Sequence, residues 1–274
     1  MDLKQAFDIA TCTDPGIVRA HNEDSIAADA ANGLVVLADG MGGYNAGEVA
    51  SGIATTVITT EVARALAAAA GHAKEDEDRR AATENLVREQ VLKANTSIYQ
   101  AAQSQPQYAG MGTTLVLCLF YDNRVMVAHI GDSRVYRLRD GVFMQVTRDH
   151  SLLQEQIDSG LITREQAKHA QHKNLVTRAL GIDPTVEPEI HDYDAKPGDV
   201  YLLCSDGLCD MVTDDDIGLT VQALGANLKL AVQQLVQMAN DNGGRDNVSV
   251  ILVRILREYP ANRGVVSKFF AWLK

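Results

Sequence analysis

The chain has 274 residues, of which 46% are hydrophobic and 22% are charged. These proportions are ordinary for a soluble globular protein, and the length suits one large domain or two small ones with a well-buried core. The net charge of −11 at pH 7 gives the chain no overall basic character, so we expect no nucleic-acid partner. An acidic chain can instead hold divalent cations, which neutralise part of its charge.

Four cysteines are present, and no two of them form a C-x-x-C pair. The pattern indicates neither a zinc knuckle nor a thioredoxin-type redox site, and we interpret the cysteines as free thiols in a reducing compartment. Residues 1–5 contain no apolar signal core, and no apolar stretch reaches the length of a membrane span. We therefore expect a cytoplasmic protein without a transmembrane segment.

Apolar runs and turn signals predict the elements of the first half of the chain. In chain order these are a strand over 6–13, a strand over 34–38, helices over 48–70 and 81–103, and strands over 113–121, 124–130, 134–139 and 142–146. Turn signals separate the last four strands, at Asp122-Asn123, Gly131-Asp132 and Asp140-Gly141. This spacing predicts an antiparallel meander. The charged residues 74–80 are expected to be a solvated loop between the two helices.

The second half begins with the polar residues 151–180, which are predicted to be helical without a strong apolar face. The elements after it are strands over 186–193, 200–204 and 247–256, a helix that begins after Thr213, and a helix over 227–241. Because helices segregate from antiparallel strands along the chain, the predicted fold class is α+β. Two central antiparallel sheets flanked by helices, in a four-layer α-β-β-α sandwich with a polar helical flap, would bury all of the apolar faces.

Five aspartates lie in short runs of glycine or small polar residues, and most follow directly on an apolar run. They are Asp24, Asp39, Asp132, Asp206 and Asp246. A carboxylate at the end of a strand, next to a residue that allows a sharp turn, is held rigidly and can point into a shared cleft. Several such carboxylates form a set of hard oxygen ligands, which Mg²⁺ and Mn²⁺ prefer and Zn²⁺ usually does not.

Seven short motifs occur in a fixed order along the chain: Arg19-x-x-Asn22-Glu23-Asp24, Ala38-Asp39-Gly40-Met41-Gly42-Gly43, Met111-Gly112-Thr113-Thr114, Gly131-Asp132-Ser133-Arg134, Asp149-His150-Ser151, Ser205-Asp206-Gly207 and Gly244-Arg245-Asp246-Asn247. Each motif alone is weakly specific, but the complete set resembles the PPM family, the type 2C metal-dependent protein serine/threonine phosphatases, and most closely its bacterial members. The resemblance covers about residues 8–256. It implies hydrolysis of phosphoserine and phosphothreonine with two tightly bound Mn²⁺ or Mg²⁺ ions and a third, weaker one.

The resemblance implies a metal ligand set residue by residue. Asp39 matches the aspartate that bridges both tight metals, and Gly40 matches the glycine that supplies a backbone carbonyl. Asp206 and Asp246 match ligands of the first metal. A carboxylate has two oxygens with four lone-pair directions, so Asp39 can bridge two cations. Gly40 has no side chain to block the approach of its own carbonyl.

Three further acids complete the implied ligand set. Glu23 and Asp24 match the residues that hold water on the second metal. Asp132 matches the position that, together with the aspartate equivalent to Asp206, binds the third metal in bacterial members. Asn247 is expected to orient its neighbouring aspartate by hydrogen bonding rather than to ligate.

The implied reaction is in-line attack on phosphorus by a water that bridges two cations about 3.5–4 Å apart, with no covalent enzyme intermediate. Arg19 is expected to bind phosphate oxygens, because a guanidinium makes paired hydrogen bonds and stays charged. Eukaryotic members have a histidine, proposed as the general acid, where this chain has Met41, which cannot donate a proton. His150 and a metal-bound water are the two alternative donors.

Residues 1–257 are expected to form the phosphatase domain, with a mobile flap at about 151–176 beside the metal cleft. Residues 258–274 are interpreted as a tail, either a docked helix or partly disordered. The implied partners are phosphoprotein substrates and a cognate Ser/Thr kinase, and the chain is expected to be a monomer. A catalytically silent homologue that binds phosphoproteins is the alternative, and such a homologue would be expected to have lost at least one ligand.

Overall fold

The computed structural model describes residues 3–43, 46–69, 76–167 and 175–260, and its strands form two antiparallel sheets. The first sheet contains, in order across it, β1 (Phe7–Asp14), β11 (Val248–Ile255), β10 (Val200–Cys204), β7 (Arg134–Arg139) and β8 (Val142–Gln145). The second sheet contains β2 (Asp24–Asp29), β3 (Leu34–Met41), β5 (Leu115–Tyr121), β6 (Arg124–Ile130) and β9 (Glu189–Asp194), with the short strand β4 (Gly112–Thr113) paired to β3.

Helices cover the outer face of each sheet. The α-helices in the described ranges are α1 (Ala46–Ala69), α2 (Asp76–Ser104), α3 (Leu152–Asp158), α4 (Arg164–Ala167), α5 (Asp206–Cys209), α6 (Asp214–Leu224) and α7 (Leu228–Asp241). α1 and α2 pack on the second sheet, and α6 and α7 pack on the first. The layers therefore follow the predicted order α-β-β-α. Among the helices described, none combines the length and the apolarity that crossing a membrane requires.

Three apolar cores hold the four layers together. In β3, Val36 packs with the helices α1 and α2, whereas its neighbour Val35 faces the layer between the two sheets. In β10, Leu202 faces the helical side and Leu203 faces the layer between the sheets. Because successive side chains point to opposite faces and both faces are buried, these strands read as continuous apolar runs.

The predicted meander over 113–146 is wrong at its middle turn. β5 pairs with β6 and β7 pairs with β8, but β6 and β7 belong to different sheets, and residues 131–133 carry the chain from one sheet to the other. Gly131 has a φ of +101°, and a Cβ there would lie 2.7 Å from Cγ2 of Thr114. The crossing therefore requires glycine at this position. Asp132 consequently lies where the two sheets meet.

Other element boundaries also differ from the prediction. β2 is missing from the predicted elements, because its short and polar side chains do not form an apolar run. β3 does not end at Asp39 but continues to Met41, so Asp39 lies inside a strand. α2 begins at Asp76, so residues 76–80 of the charged run are helical rather than loop. Of residues 151–180, only the short helices α3 and α4 are helical within the part that the structure describes.

Tyr259 closes the layer between the sheets near the end of the described chain. Its ring lies 5.0 Å from that of Phe7, centroid to centroid, and the side chain is fully buried. Its hydroxyl donates to the Arg124 carbonyl at 3.0 Å, and its N–H donates to Asn123 Oδ1 at 2.6 Å. Residues 261–274, which make up most of the expected tail, lie outside the described residues.

Candidate metal and phosphate site

Five carboxylates meet at one end of the two sheets. Asp24 of β2 lies directly opposite Asp39 of β3 in the sheet register. Asp206 begins α5 just beyond β10, and Asp246 lies two residues before β11, the neighbour of β10. Asp132 comes from the crossing between the sheets. The charges of Asp24, Asp132, Asp206 and Asp246 all act on Asp39. The five aspartates that the sequence singles out therefore form one group, which we call the carboxylate cluster.

The charges of the carboxylate cluster oppose one another in a buried setting. Burial, followed by the charges of Asp24 and Asp206, holds the pKa of Asp39 well above its usual range. Burial and the charge of Asp132 do the same to the pKa of Asp206. Burial raises the pKa of Asp24 and the pKa of Asp132 to about 6 each. Buried ionised carboxylates need cations or donors beside them, so this arrangement favours cation binding.

One oxygen of Asp24 is available for a further partner. Its Oδ2 accepts a hydrogen bond from the Ser205 hydroxyl at 2.8 Å, and Ser205 in turn accepts from the Ser249 N–H at 3.0 Å. Oδ1 is buried and has no hydrogen-bond partner among the described residues. An orphaned carboxylate oxygen within an all-oxygen donor set fits Mg²⁺ or Mn²⁺. Nothing in the sequence around Ser205 indicates this role, although Ser205 directly precedes Asp206.

Glu23 lies at the edge of the carboxylate cluster, against the N-terminal turn of α1. The Gly47 N–H donates to its carboxylate, and burial raises the pKa of Glu23 against the opposing charge of Arg19. Gly40 also belongs to this contact, since a Cβ there would lie 2.2 Å from the Gly47 carbonyl oxygen and 2.5 Å from that of Glu23. Glycine at position 40 therefore allows β3 and α1 to approach each other. This requirement is additional to the predicted access to the Gly40 carbonyl.

Two threonines of the predicted motifs fix the backbone of Asp39. Thr113 Oγ1 donates to the Asp39 carbonyl at 2.8 Å, and the Thr114 N–H donates to the same oxygen at 2.9 Å. The Asp39 N–H donates to Thr114 Oγ1 at 3.1 Å. Thr114 also exchanges a hydrogen bond with Ser133 at 2.8 Å. Asp39 is thus held on both its backbone groups, which limits the directions its side chain can take.

Arg19 lies at the rim of the carboxylate cluster. Its Nη2 donates to Asp246 Oδ2 at 2.7 Å, and 51% of its side chain is exposed. The preceding turn is anchored, because the N–H groups of Ile17 and Val18 both donate to the Gly244 carbonyl, at 2.8 and 3.1 Å. A guanidinium has five N–H donors in a planar fork. One in this position can bind a phosphate that approaches the cluster from solvent.

Asn247 organises the loop that carries Glu23, rather than the aspartate beside it. Its Oδ1 accepts from the Glu23 N–H at 2.8 Å, and its Nδ2 donates to the carbonyls of Pro15 and His21 at 3.0 and 2.8 Å. The contact with Asp246 comes from the Asn247 backbone N–H, at 2.9 Å. The predicted orientation of Asp246 by Asn247 therefore uses the main chain, and the side chain orders the neighbouring loop.

A cavity of about 380 Å³ opens beside Asp132 and Asp206, and helix α3 forms its far wall. Arg134 lines the cavity and is held by Asp149, to which its Nη2 donates at 2.7 Å. The segment predicted to be a flap therefore faces the carboxylate cluster across open space. Residues 168–174 of that segment lie outside the described residues.

Neither His150 nor Met41 presents a proton donor to the carboxylate cluster. Met41 ends β3 with a thioether, which has no proton to give. His150 is 7% exposed; its Nδ1 accepts from the Gly131 N–H at 3.2 Å, and its Nε2 donates to Glu189 Oε2 at 3.3 Å. Burial lowers the pKa of His150, so the ring is neutral at physiological pH. These contacts favour a structural task for His150 over proton delivery.

Comparison with known proteins finds relatives along nearly the whole chain. The family profile described as protein phosphatase 2C matches residues 18–254. The serine/threonine protein phosphatase PstP of Mycobacterium tuberculosis is 40% identical over 250 residues, which cover 90% of this chain and 45% of PstP. The chain thus spans about half the length of that relative. The serine/threonine phosphatase stp of Listeria monocytogenes is 35% identical over 244 residues, covering 88% of this chain and 93% of the relative.

Solved structures have the same fold. The crystal structure of the catalytic domain of PstP, in complex with two manganese ions, matches with a TM-score of 0.78 and 37% sequence identity, covering 91% of this chain and 98% of the other. The likeness includes the two sheets and the helices outside them, so it extends to the scaffold that brings the carboxylate cluster together.

Proposed function

This chain belongs to the protein phosphatase 2C family, and we propose that it is a metal-dependent protein serine/threonine phosphatase. The carboxylate cluster is the observation that carries the proposal. Five aspartates lie close together, and burial raises the pKa of four of them, Asp24, Asp39, Asp132 and Asp206. In their ionised form these acids destabilise the fold unless cations bind beside them. The relatives named as serine/threonine phosphatases support the reaction class.

Oxygen donors at this end of the sheets would hold two Mn²⁺ or Mg²⁺ ions tightly and a third more weakly. We assign as ligands Asp39, the carbonyl of Gly40, Asp206, Asp246, the water-holding Glu23 and Asp24, and, for the third ion, Asp132. The two manganese ions in the catalytic domain of PstP support this number of tight sites. When bound, such ions supply an activated water and charge stabilisation for hydrolysis of a phosphate ester.

Arg19 would bind the phosphate of the substrate. Its half-exposed position suits a phosphoserine or phosphothreonine that projects from another protein. The guanidinium already forms a charge-assisted hydrogen bond to a carboxylate oxygen of Asp246. A phosphate oxygen offers the same kind of acceptor, so little rearrangement of the arginine is needed. Thr114 holds the backbone of Asp39 and Asn247 holds the loop that carries Glu23, and neither is proposed to touch the substrate.

The alternative is a catalytically weak homologue that binds phosphoproteins as a regulatory module. Such a protein could lose ligands without losing its fold. This chain retains every acid of the implied set, and the orphaned oxygen of Asp24 supports a cluster that still binds cations. We therefore favour the enzyme over the binding module.

Hydrolysis of a phosphothreonine peptide tests the proposal. We expect phosphate release by the purified chain when Mn²⁺ is present, and none after the protein has been stripped of metal and kept in excess chelator. Restoring Mn²⁺ should restore the rate. Peptide binding without phosphate release in Mn²⁺ would support the regulatory module instead, and full activity in chelator would exclude a metal-dependent reaction.

We further propose that a cognate Ser/Thr kinase opposes this enzyme and that it acts as a cytoplasmic monomer. Its four cysteines are free thiols, which supports a reducing compartment. We propose that the phosphatase domain spans residues 1–257, with a flap at about 151–176 and a tail from 258. The burial of Tyr259 supports a folded unit that continues slightly further. Light scattering on the purified chain would measure its oligomeric state.

A further inference from the structure

A partly buried series of hydrogen bonds lies next to the turn that carries Asp132. Gly131 exchanges two hydrogen bonds with His150: the His150 N–H donates to the Gly131 carbonyl at 2.9 Å, and the Gly131 N–H donates to Nδ1 of the ring at 3.2 Å. The other ring nitrogen donates to Glu189 Oε2 at 3.3 Å. The turn is therefore tied, through a single imidazole, to a carboxylate at the start of β9.

Neighbouring groups fix both ends of this series of hydrogen bonds. Glu189 Oε1 accepts from Nε2 of His191 at 2.8 Å, which holds the carboxylate in place. The His129 ring stacks on the His150 ring, with centroids 4.7 Å apart and planes inclined by 23°. His129 is itself held by a hydrogen bond of 2.8 Å from its Nε2 to the Arg148 carbonyl. The His150 ring thus has one favoured orientation.

The same residues have the composition of a metal site, because ligand atoms of His129, His150 and Glu189 lie within 4.8 Å of one another. The hydrogen bonds oppose that use. Nδ1 of His150 already accepts the Gly131 N–H, so the single proton of the neutral ring sits on Nε2. A metal on Nε2 would have to displace that proton and leave the ring anionic, or else break the bond to Gly131. The fixed tautomer instead suits a hydrogen-bonded support.

Gly131 also lies close to Thr114. A Cβ at this residue would lie 2.7 Å from Cγ2 of Thr114, so that side chain leaves no room for one. Thr114 is in turn bonded to the backbone of Asp39 and to Ser133. Gly131 is therefore close to the threonine and hydrogen-bonded to the His150 ring. Removing support from the ring side leaves the turn room to shift.

We propose that His150 and Glu189 are positioning residues for Asp132: the Glu189 carboxylate orients the imidazole, and the imidazole accepts the Gly131 N–H and so holds the turn that carries Asp132. This inference rests on the proposed function, in which Asp132 serves the third and weakest metal site. It replaces the proton-donor role considered for His150. Neither residue touches the substrate.

The charge states of the two groups agree with this arrangement. Burial lowers the pKa of His150, so the ring remains neutral and keeps a single proton. Burial alone would raise the pKa of Glu189, but hydrogen bonds from His191 and His150 bring it below its usual value. An ionised carboxylate therefore accepts from a neutral imidazole throughout the neutral pH range.

Titration with Mn²⁺ in the absence of substrate tests the positioning role independently of phosphatase activity. Glu189→Ala should weaken Mn²⁺ binding at the weakest site by about 3- to 10-fold. This is at or below the low end of the loss in metal affinity caused by removing a group that supports a metal ligand. The two tight sites should keep their affinities. Glu189→Gln should recover most of the loss, because its amide oxygen can still accept from His150. Glu187→Ala is the matched control, since Glu187 is 78% exposed and pairs with Arg88.

A double-mutant cycle with Asp132→Ala makes the test specific. If Glu189 acts through Asp132, Glu189→Ala should lower the rate of p-nitrophenyl phosphate hydrolysis in the wild-type background and have no further effect in the Asp132→Ala background. Equal losses in both backgrounds, or a weakest Mn²⁺ site unchanged by Glu189→Ala, would overturn the proposal. An inactive wild type that still shows the shift in Mn²⁺ affinity would leave the positioning role standing and reject the phosphatase activity instead.

Discussion

Buried carboxylates occur in two settings in this molecule. The side chains of Asp199 and Asp192 are each 2% exposed, and each forms an ion pair with an arginine. The Nε and Nη2 groups of Arg139 donate to Asp199 at 2.7 and 2.6 Å, and Nε of Arg124 donates to Asp192 at 2.7 Å. The carboxylate cluster instead gathers five aspartates at one end of the sheets, with the guanidinium of Arg19 at its rim.

The contrast separates acids that serve the fold from acids that serve the site. Removing a paired acid such as Asp199 leaves the partly buried Arg139 without its carboxylate partner, which destabilises the protein. Removing one member of the carboxylate cluster relieves repulsion among like charges. Substitutions in the two settings should therefore have opposite patterns: loss of stability without loss of chemistry in the first, and loss of chemistry without loss of stability in the second.

The largest effect on turnover is expected from Asp39→Asn, with Asp206→Asn and Asp246→Asn close behind. Each removes one charged ligand, and turnover of a phosphopeptide in Mn²⁺ should fall on the order of 10³-fold, as when a principal electrostatic contact in an active site is lost. The melting temperature in chelator should stay the same or rise. A variant with wild-type rate and Mn²⁺ affinity would show that its ligand assignment is wrong.

Arg19→Ala should have the next largest effect. Loss of a charge-assisted contact to phosphate costs roughly 1.5–3 kcal/mol, which corresponds to about a 10- to 100-fold drop in kcat/KM. Inhibition by inorganic phosphate should weaken, while Mn²⁺ affinity changes little. Arg19→Lys should rescue only part of the loss, because an ammonium cannot make the forked contact. Unchanged kcat/KM and phosphate inhibition would make Arg19 a surface residue paired with Asp246.

Asp132→Ala should have a smaller effect, of about tenfold on the rate. It removes a ligand of the weakest proposed ion and leaves Asp39, Asp206 and Asp246 in place. Calorimetric titration should therefore still find two tight Mn²⁺ sites. Disappearance of either tight site would mean that Asp132 belongs to the central pair of ions.

The fold was predictable where a strand is buried on both faces, as in β3 and β10, because such strands are continuous apolar runs. β2 could not be recognised, since its few apolar side chains, such as Ile26 and Ala27, are too short a run, and its pairing with β3 exists only in the folded chain. The turn at Gly131-Asp132 carries the same signal as a hairpin turn. Its true role, moving the chain between sheets, depends on pairing partners far away in the sequence.

The site was predictable where its residues stand in compact motifs, and the five aspartates do come together as expected. Ser205 and Glu189 were missed for a physical reason: each acts through a side chain that is near only after folding. Glu189 contacts His150 because β9 pairs with β6, and no local sequence pattern predicts that contact. The roles assigned to the individual ligands stay predictions until metal binding is measured.

The pH dependence of stability should test the burial of the carboxylate cluster without any substitution. Burial raises the pKa of Asp24 and Asp132 to about 6, above the ordinary value of 3.8. The folded state therefore binds protons more tightly than the unfolded chain, so the free energy of unfolding in chelator should fall as pH rises from about 4 to about 6. Mn²⁺ should oppose this fall, because it favours the ionised carboxylates. Thermal melts across this range that show rising stability in chelator would contradict the assignment.

Calorimetric titration of metal-stripped protein with Mn²⁺ at pH 7.5 tests the central claim most directly. We expect two tight sites in the wild type and their loss in Asp39→Asn. Asp199→Asn, studied below its melting temperature, should bind Mn²⁺ like the wild type and melt earlier. The claim is contradicted if the wild type binds no Mn²⁺ tightly, or if Asp39→Asn and Asp199→Asn affect the two sites alike.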